Sequence, residues 1–222
     1  MTNLVKTSAF LISAGMLLLP TVSSAYEAGD ILVKFGSATV NPEDKSSDID
    51  QIAGEAVSAD NNTQLGLSGT YMINDKIGVE VLAATPFNHH VKAKGGTLNG
   101  ADIGSLKHLP PTVSAQYYFL GNTGKFQPYV GAGLNYTIFF GTNIGADSAG
   151  LGYDKLSLDN SFGLAAQVGV DYQINKNWLI NASAMYADID TTATLTGPGA
   201  TTLTVDYDID PMVYRLNLGY KF

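Results

Sequence analysis

From Met212 to Phe222 the chain alternates without a break: Met212, Tyr214, Leu216, Leu218, Tyr220 and Phe222 share one face, and Val213, Arg215, Asn217, Gly219 and Lys221 share the other. A period of two is a strand period. The first face is apolar along its whole length and ends in aromatics, while the second carries two cations and an amide. Neither a dry core nor a soluble surface fits that division, but a wall with lipid outside and a polar lumen inside does.

The same pattern recurs along the chain. Ile31, Val33 and Phe35 oppose Leu32, Lys34 and Gly36; Leu65, Leu67, Gly69 and Tyr71 oppose Gln64, Gly66, Ser68 and Thr70. Ile77, Val79, Val81 and Ala83 face out against Glu80 and Leu82, and Val113, Ala115, Tyr117 and Phe119 against Thr112, Ser114, Gln116 and Tyr118. Two further strands set Val130, Ala132, Leu134, Tyr136 and Ile138 against Tyr129, Gly131, Gly133, Asn135 and Thr137, and Leu164, Ala166, Val168, Val170 and Tyr172 against Gln167, Gly169 and Asp171. In the seventh, Trp178, Ile180, Ala182, Ala184 and Tyr186 oppose Asn181, Ser183 and Met185. Tight turns are expected at Ile73–Lys76, Gly121–Lys125 and Asn175–Asn177, and long polar loops over 41–61, 88–107, 141–160 and the stretch before Pro211.

Eight strands joined alternately by short turns and long loops, with both ends on the turn side, predict an all-β chain: an eight-stranded antiparallel transmembrane β-barrel with short periplasmic turns and long extracellular loops. Closure is required because hydrocarbon leaves no solvent to pair an open sheet edge. Eight strands enclose only enough room for side chains, so any passage is narrow.

The N-terminus sets the compartment. Lys6 precedes an apolar run from Ala9 to Leu19, then Pro20, and then Ser23, Ser24 and Ala25 as small residues. This predicts a cleaved secretory signal peptide over 1–25 and a barrel over 26–222. The run is too short to span a bilayer as a helix. A net charge of −8 excludes a nucleic-acid partner, and zero cysteines exclude disulfides and thiolate chemistry. Twenty-four glycines and twelve tyrosines suit an aromatic-girdled sheet. Phe87, Tyr136, Phe139, Phe140 and Tyr186 are expected in an outer aromatic belt, and Tyr71, Phe119, Trp178, Tyr220 and Phe222 in an inner one.

Lys34, Glu80, Asp171 and Arg215 have inward parity and are expected to pair, because an isolated charge in so narrow a lumen is costly. They read as a structural plug in preference to an ion filter. Leu82, Tyr118, Tyr129 and Met185 are expected above it, at the base of an apolar pocket. Beyond the membrane edge Ile189, Val205, Tyr207 and Ile209 point inward as the wall of a mouth, with Asp188, Asp190, Asp206, Asp208 and Asp210 on the outside. Those carboxylates read as a solvated face. His89, His90 and His108 invite a metal or catalytic role, but adjacent histidines on an extended chain diverge and no serine or carboxylate stands at catalytic spacing. No enzyme, metal or cofactor is expected.

Several ordered segments resemble the outer membrane protein W (OmpW) family of Gram-negative bacteria. They are Gly36-Ser37-Ala38-Thr39-Val40, Asn61-Asn62-Thr63-Gln64-Leu65-Gly66-Leu67, Leu82-Ala83-Ala84-Thr85-Pro86-Phe87 and His108-Leu109-Pro110-Pro111-Thr112. Pro128-Tyr129-Val130-Gly131-Ala132-Gly133, Gln167-Val168-Gly169-Val170-Asp171-Tyr172 and Asp188-Ile189-Asp190-Thr191-Thr192 complete the set. The resemblance implies an outer-membrane barrel with an apolar upper interior that passes small hydrophobic molecules passively and releases them sideways into the bilayer. It implies a gate closed by Leu82 and by an inward aromatic on the seventh strand, where this chain has Met185 instead. It also makes Phe222, with Tyr220 and Leu218, the terminal signal for the barrel assembly machinery, and outer-membrane lipid and lipopolysaccharide the surroundings. The rival expectation is a closed structural or surface-recognition barrel whose loops dock phage, bacteriocin or host factors.

Overall fold

The computed structural model describes residues 25–43, 45–46, 56–95, 99–200 and 202–222. All of the expected signal peptide except Ala25 lies outside the described residues. The elements run β1 (Ile31–Asn41), β2 (Lys45–Ser46), β3 (Ala56–Ala59), β4 (Asn62–Met72), β5 (Ile77–Ala84), β6 (Phe87–Lys94), β7 (Asp102–Leu109) and β8 (Thr112–Tyr118). They continue as β9 (Phe126–Ile144), α1 (Ala146–Gly150), β10 (Lys155–Leu158), β11 (Ser161–Gln173), β12 (Trp178–Ala187), β13 (Asp190–Thr196), β14 (Leu203–Asp208) and β15 (Met212–Lys221).

Eight of these strands close on themselves in the order β1, β4, β5, β8, β9, β11, β12, β15. Every neighbour is antiparallel, and β15 returns to β1 from Leu32 opposite Lys221 to Asn41 opposite Met212. This is the closed barrel that the alternation predicts, and its parity holds strand by strand. Leu65, Leu67, Val113, Leu164, Val168 and Leu216 are all at least half exposed. So wide an apolar exterior on a protein surrounded by water would be an aggregation surface; around a barrel it is the lipid face. Among the described residues no helix is long and apolar enough to cross a membrane.

Local chemistry fixes the two tightest turns. Asn74 Oδ1 accepts from the backbone N–H groups of Lys76 and Ile77, both at 2.8 Å. Asn175 Oδ1 does the same for Asn177 and Trp178. An asparagine side chain that mimics a backbone turn brings each hairpin round in few residues.

Two of the long loops differ from expectation, because most of their length is strand. The segment expected as a loop over 88–107 is the β6–β7 hairpin, and β13 and β14 form another above β12 and β15. In β6 the residues Phe87, His89, Val91 and Ala93 are buried while Asn88, His90, Lys92 and Lys94 are not. The polar half of that alternation reads as a loop when composition is counted, but it is only the outer face of a strand that rises above the bilayer. The helix α1 and strand β10 likewise occupy the third expected loop.

Two residues expected in the outer aromatic belt are inside instead: Phe87 is 1% exposed and Phe139 9%. For Phe87 the cause is the interruption at Thr85–Pro86, which ends β5 and resets the parity before β6 begins. Phe139 and Phe140 are sequence neighbours on one strand, so only Phe140 faces out.

Candidate functional site

From the turn end upward the lumen is filled in layers. Lowest is a buried cluster of Tyr26, Leu32, Met72, Tyr118, Tyr129 and Leu179. Tyr26 comes from the segment before β1, and its ring meets Tyr118 edge-on with centroids 4.9 Å apart. Tyr118 and Tyr129 were expected above the charges beside Leu82 and Met185; they lie below them. Tyr118 is four residues nearer the turn than Ser114, which sits opposite Glu80. Parity gives the face of a side chain but not its height, which depends on how the strands are staggered around the closed barrel.

Next comes the charged layer, and all four predicted residues are in it. Lys34 Nζ lies 3.1 Å from Asp171 Oδ2, both fully buried. Asp171 also accepts from Tyr26 Oη at 2.6 Å and from Asn181 Nδ2 at 2.7 Å. Arg215 Nη1 stands 3.4 Å from Glu80 Oε1. The same guanidinium donates to Gln167 Oε1 at 2.7 Å and to Ser183 Oγ at 2.9 Å, while Gln167 Nε2 donates to Glu80 Oε2 at 3.0 Å. Burying four charges is tolerable only because each is both paired and hydrogen-bonded. Glycine makes the crossing possible, since a Cβ at Gly169 would lie 2.5 Å from the Tyr129 ring and one at Gly131 would lie 2.8 Å from Gln167 Cγ.

Directly above, Leu82 and Met185 join Ala38, Val40, Phe87, Ala165 and Val213 in a second apolar cluster. The topmost cluster holds Val57, Val91, Leu106, Phe139, Ile189, Val205, Tyr207 and Ile209, so the expected inward wall of the mouth is in place. Two small interior cavities lie among the described residues of this upper part. One, of about 30 Å3, is wholly apolar and lined by residues such as Val91, Leu106, Leu156 and Val205; the other, of about 20 Å3, is bordered by His89, His108, Phe139 and Ile209.

His89 and His108 are buried in this upper part as well, a placement the count of polar residues along 88–107 does not give. His89 Nδ1 lies 2.6 Å from the carbonyl oxygen of Asp60, and its Nε2 lies 3.0 Å from His108 Nε2. The His108 ring stacks on Phe87 at 5.3 Å. His90, as parity requires, is exposed. The available signal was that His89 shares a face with Phe87, Val91 and Ala93. Tyr26 was missed too, and nothing in the strand periodicity marks it.

The barrel wall has one discontinuity beside the Leu82 layer. Pairing of β5 with β8 ends at Leu82 opposite Thr112, and pairing of β6 with β7 begins at Phe87 opposite His108. Between them lie Pro86, Pro110 and Pro111, which have no backbone N–H to give. At the upper rim the carboxylates of Asp188, Asp190 and Asp210 approach within 4.8 Å. Partial enclosure, and then the charges of Asp188, Asp208 and Asp210, hold the Asp190 carboxyl above its ordinary pKa. At the lower rim Tyr220 meets Trp178 and Phe222 edge-on at 5.0 and 4.7 Å, and the Phe222 N–H donates to Ile31 O at 2.9 Å.

A closed eight-stranded barrel with a lipid-facing exterior, a lumen crossed by paired buried charges and an apolar upper interior defines a small outer-membrane β-barrel protein. The chain belongs to the OmpW family, whose pattern it matches over residues 27–222. Outer membrane protein W of Vibrio cholerae serotype O1 is 46% identical over 213 residues, which is 94% of this chain and 97% of that protein. The crystal structure of the outer membrane protein OprG from Pseudomonas aeruginosa has the same fold, with a TM-score of 0.85 and 45% identity, covering 89% of this chain and 98% of that one. A more distant relative, the dibenzothiophene metabolism operon protein PahQ of Pseudomonas aeruginosa, is 28% identical over 174 residues, 78% of this chain and 77% of that protein. The chain is therefore an outer-membrane protein of the type found in Gram-negative bacteria.

Proposed function

We propose that the barrel is a passive conduit for small hydrophobic molecules, which enter between the upper hairpins, stop at Leu82 and Met185, and leave sideways through the wall. The observation that carries this is the stacking of an apolar mouth on a sealed charge layer, with a break in the strand ladder at the height of the seal. An apolar solute reaching Leu82 faces four buried charges below and lipid beside it. Desolvation drives it toward the lipid. The name of the PahQ relative, which refers to metabolism of an apolar aromatic compound, agrees with a solute of this class.

In the same proposal residues 1–25 direct export and are removed, and Leu218, Tyr220 and Phe222 at the chain end are recognised by the barrel assembly machinery. The upper wall sits among lipopolysaccharide. The test is uptake into proteoliposomes of an apolar solute against a sugar of similar size. Preferential uptake of the apolar solute is expected, and equal uptake of the two overturns the conduit. A filled lumen also suits a closed surface-recognition barrel, for which shortening the upper hairpins abolishes docking while no apolar uptake is found in the intact protein.

A further inference from the structure

We propose that the outer face of the β6–β7 hairpin binds the phosphorylated sugar headgroup of lipopolysaccharide, with Lys92, Lys94 and Lys107 as its phosphate contacts. This rests on the position among lipopolysaccharide proposed above and names the side of the barrel that the glycolipid holds.

Strand parity puts these cations on one face. In β6 the residues His90, Lys92 and Lys94 point away from the lumen, and in β7 Lys107 does so opposite Asn88. On its other side Lys107 is opposite Phe140, the outward aromatic of β9, which sets it at the membrane edge. Lys92 is four residues above Asn88, about 13 Å further along the strand. Lys107 therefore meets the headgroup border, and Lys92 and Lys94 the sugar layer above it. None of the three lysines has an ion pair or a side-chain hydrogen bond among the described residues. The acids of the upper rim are concentrated elsewhere: Asp190 is on β13, Asp206 and Asp208 are on β14, and Asp188 and Asp210 flank that hairpin. An anionic leaflet is drawn to the lysine side.

A cleft narrows the partner. It has a volume of about 610 Å3 and is lined by residues that include Ser58, Asp60, His90, Lys92, Gly100 and Asp102, which is room for a sugar. Asp60 Oδ1 accepts from the His90 backbone N–H at 2.9 Å, and Asp102 Oδ2 from that of Ala146 at 3.2 Å, so both carboxylates are held in place. A bare phosphate gains little beside two carboxylates. A phosphorylated sugar sets its phosphate on Lys92 and the His90 ring N–H, and its hydroxyls on Asp60 and Asp102, which can only accept.

The experiment uses the full barrel in phosphatidylcholine nanodiscs that also contain rough lipopolysaccharide, the same glycolipid stripped of its phosphates, or phosphatidylglycerol. Backbone amide shifts of β6 and β7 are followed as the mole fraction rises, and the lipid retained on each barrel is measured after capture in detergent. Phosphorylated lipopolysaccharide is expected to move these amides and to be retained, and the other two lipids are not. Lys107→Gln should weaken binding about five-fold, and Lys92→Gln, Lys94→Gln and Lys107→Gln together on the order of a hundred-fold. Lys76→Gln with Lys125→Gln, at the turn end, should change nothing. Folding of each variant is checked by heat-shifted gel mobility. Equal shifts with phosphatidylglycerol or with the stripped glycolipid overturn the inference. So does a triple variant that binds like the native barrel, although its place among lipopolysaccharide then stands. No retention of lipopolysaccharide by the native barrel overturns both, and apolar uptake into proteoliposomes still decides the conduit separately.

Discussion

Tyr26 donates its hydroxyl proton to Asp171 at 2.6 Å, across 145 positions of sequence, and so ties the segment before the first strand to the sixth wall of the barrel. The contact lies on the turn side of the lumen and adds a hydrogen bond to a carboxylate already paired with Lys34.

Tyr26→Phe removes this one bond and leaves the ring in place. Hydrogen bonds to charged groups contribute about 1.5–3 kcal/mol, and a loss of that size is expected in urea unfolding from vesicles. Single-channel recordings should show small ion conductance where the native barrel shows less. A variant as stable and as tight as the native protein would mean that Tyr26 is only a filler.

The Arg215–Glu80 pair is expected to behave as a unit. Glu80→Gln strands a buried guanidinium and should destabilise by about 3–5 kcal/mol. Glu80→Gln combined with Arg215→Met should recover most of the loss, because replacing both ions with neutral groups of similar volume removes the desolvation penalty. The double-mutant cycle in urea checks this, and additivity of the two single effects would contradict it.

Leu82→Ala with Met185→Ala opens the floor of the mouth. Each truncation of a buried side chain costs about 2–5 kcal/mol, so folding is verified first, by the heat-shifted gel mobility of intact barrels. Apolar uptake and single-channel conductance are then compared with the native protein. If both are unchanged, these two residues are not the gate.

Asp190 makes the upper hairpin pH-dependent in the direction opposite to a salt-bridged acid. Its pKa is raised in the fold by partial enclosure and by Asp188, Asp208 and Asp210. The folded state therefore holds the proton more firmly than the unfolded chain does. Stability is highest at acid pH and falls as pH rises from the ordinary aspartate range, about 4, through the raised value. Asp190→Asn should protect the amides of β13 and β14 better than the native residue in hydrogen exchange at pH 7. The advantage should fade toward pH 3 and also shrink with salt, since the group is exposed. An advantage independent of pH would point to packing.

Much of this protein is legible in one dimension because a barrel wall has two faces and a strand has a period of two. Lys34, Glu80, Asp171 and Arg215 are assigned to the lumen by parity alone, and the structure places all four there. The outward apolar residues of every barrel strand follow in the same way. Parity fails only where the strand is interrupted, as at Thr85–Pro86, where Phe87 turns inward.

Counting polarity along a stretch is weaker. It turns the β6–β7 hairpin into a loop, because half the residues of a strand standing in water are polar whether or not the other half is buried. The inward position of His89 is visible only once Phe87, Val91 and Ala93 are read as its neighbours on one face.

What the sequence determined by itself was therefore the number of strands that close the barrel, the side that most of their residues face and the membership of the family. The tertiary structure decided who meets whom: Tyr26 with Asp171, Arg215 with Glu80, His89 with His108, and Tyr118 and Tyr129 below the charges instead of above them. The physical reason is that facing is set by local backbone geometry, whereas height in the lumen is set by the stagger of eight strands closed into a ring. No single strand carries that quantity in its own residues.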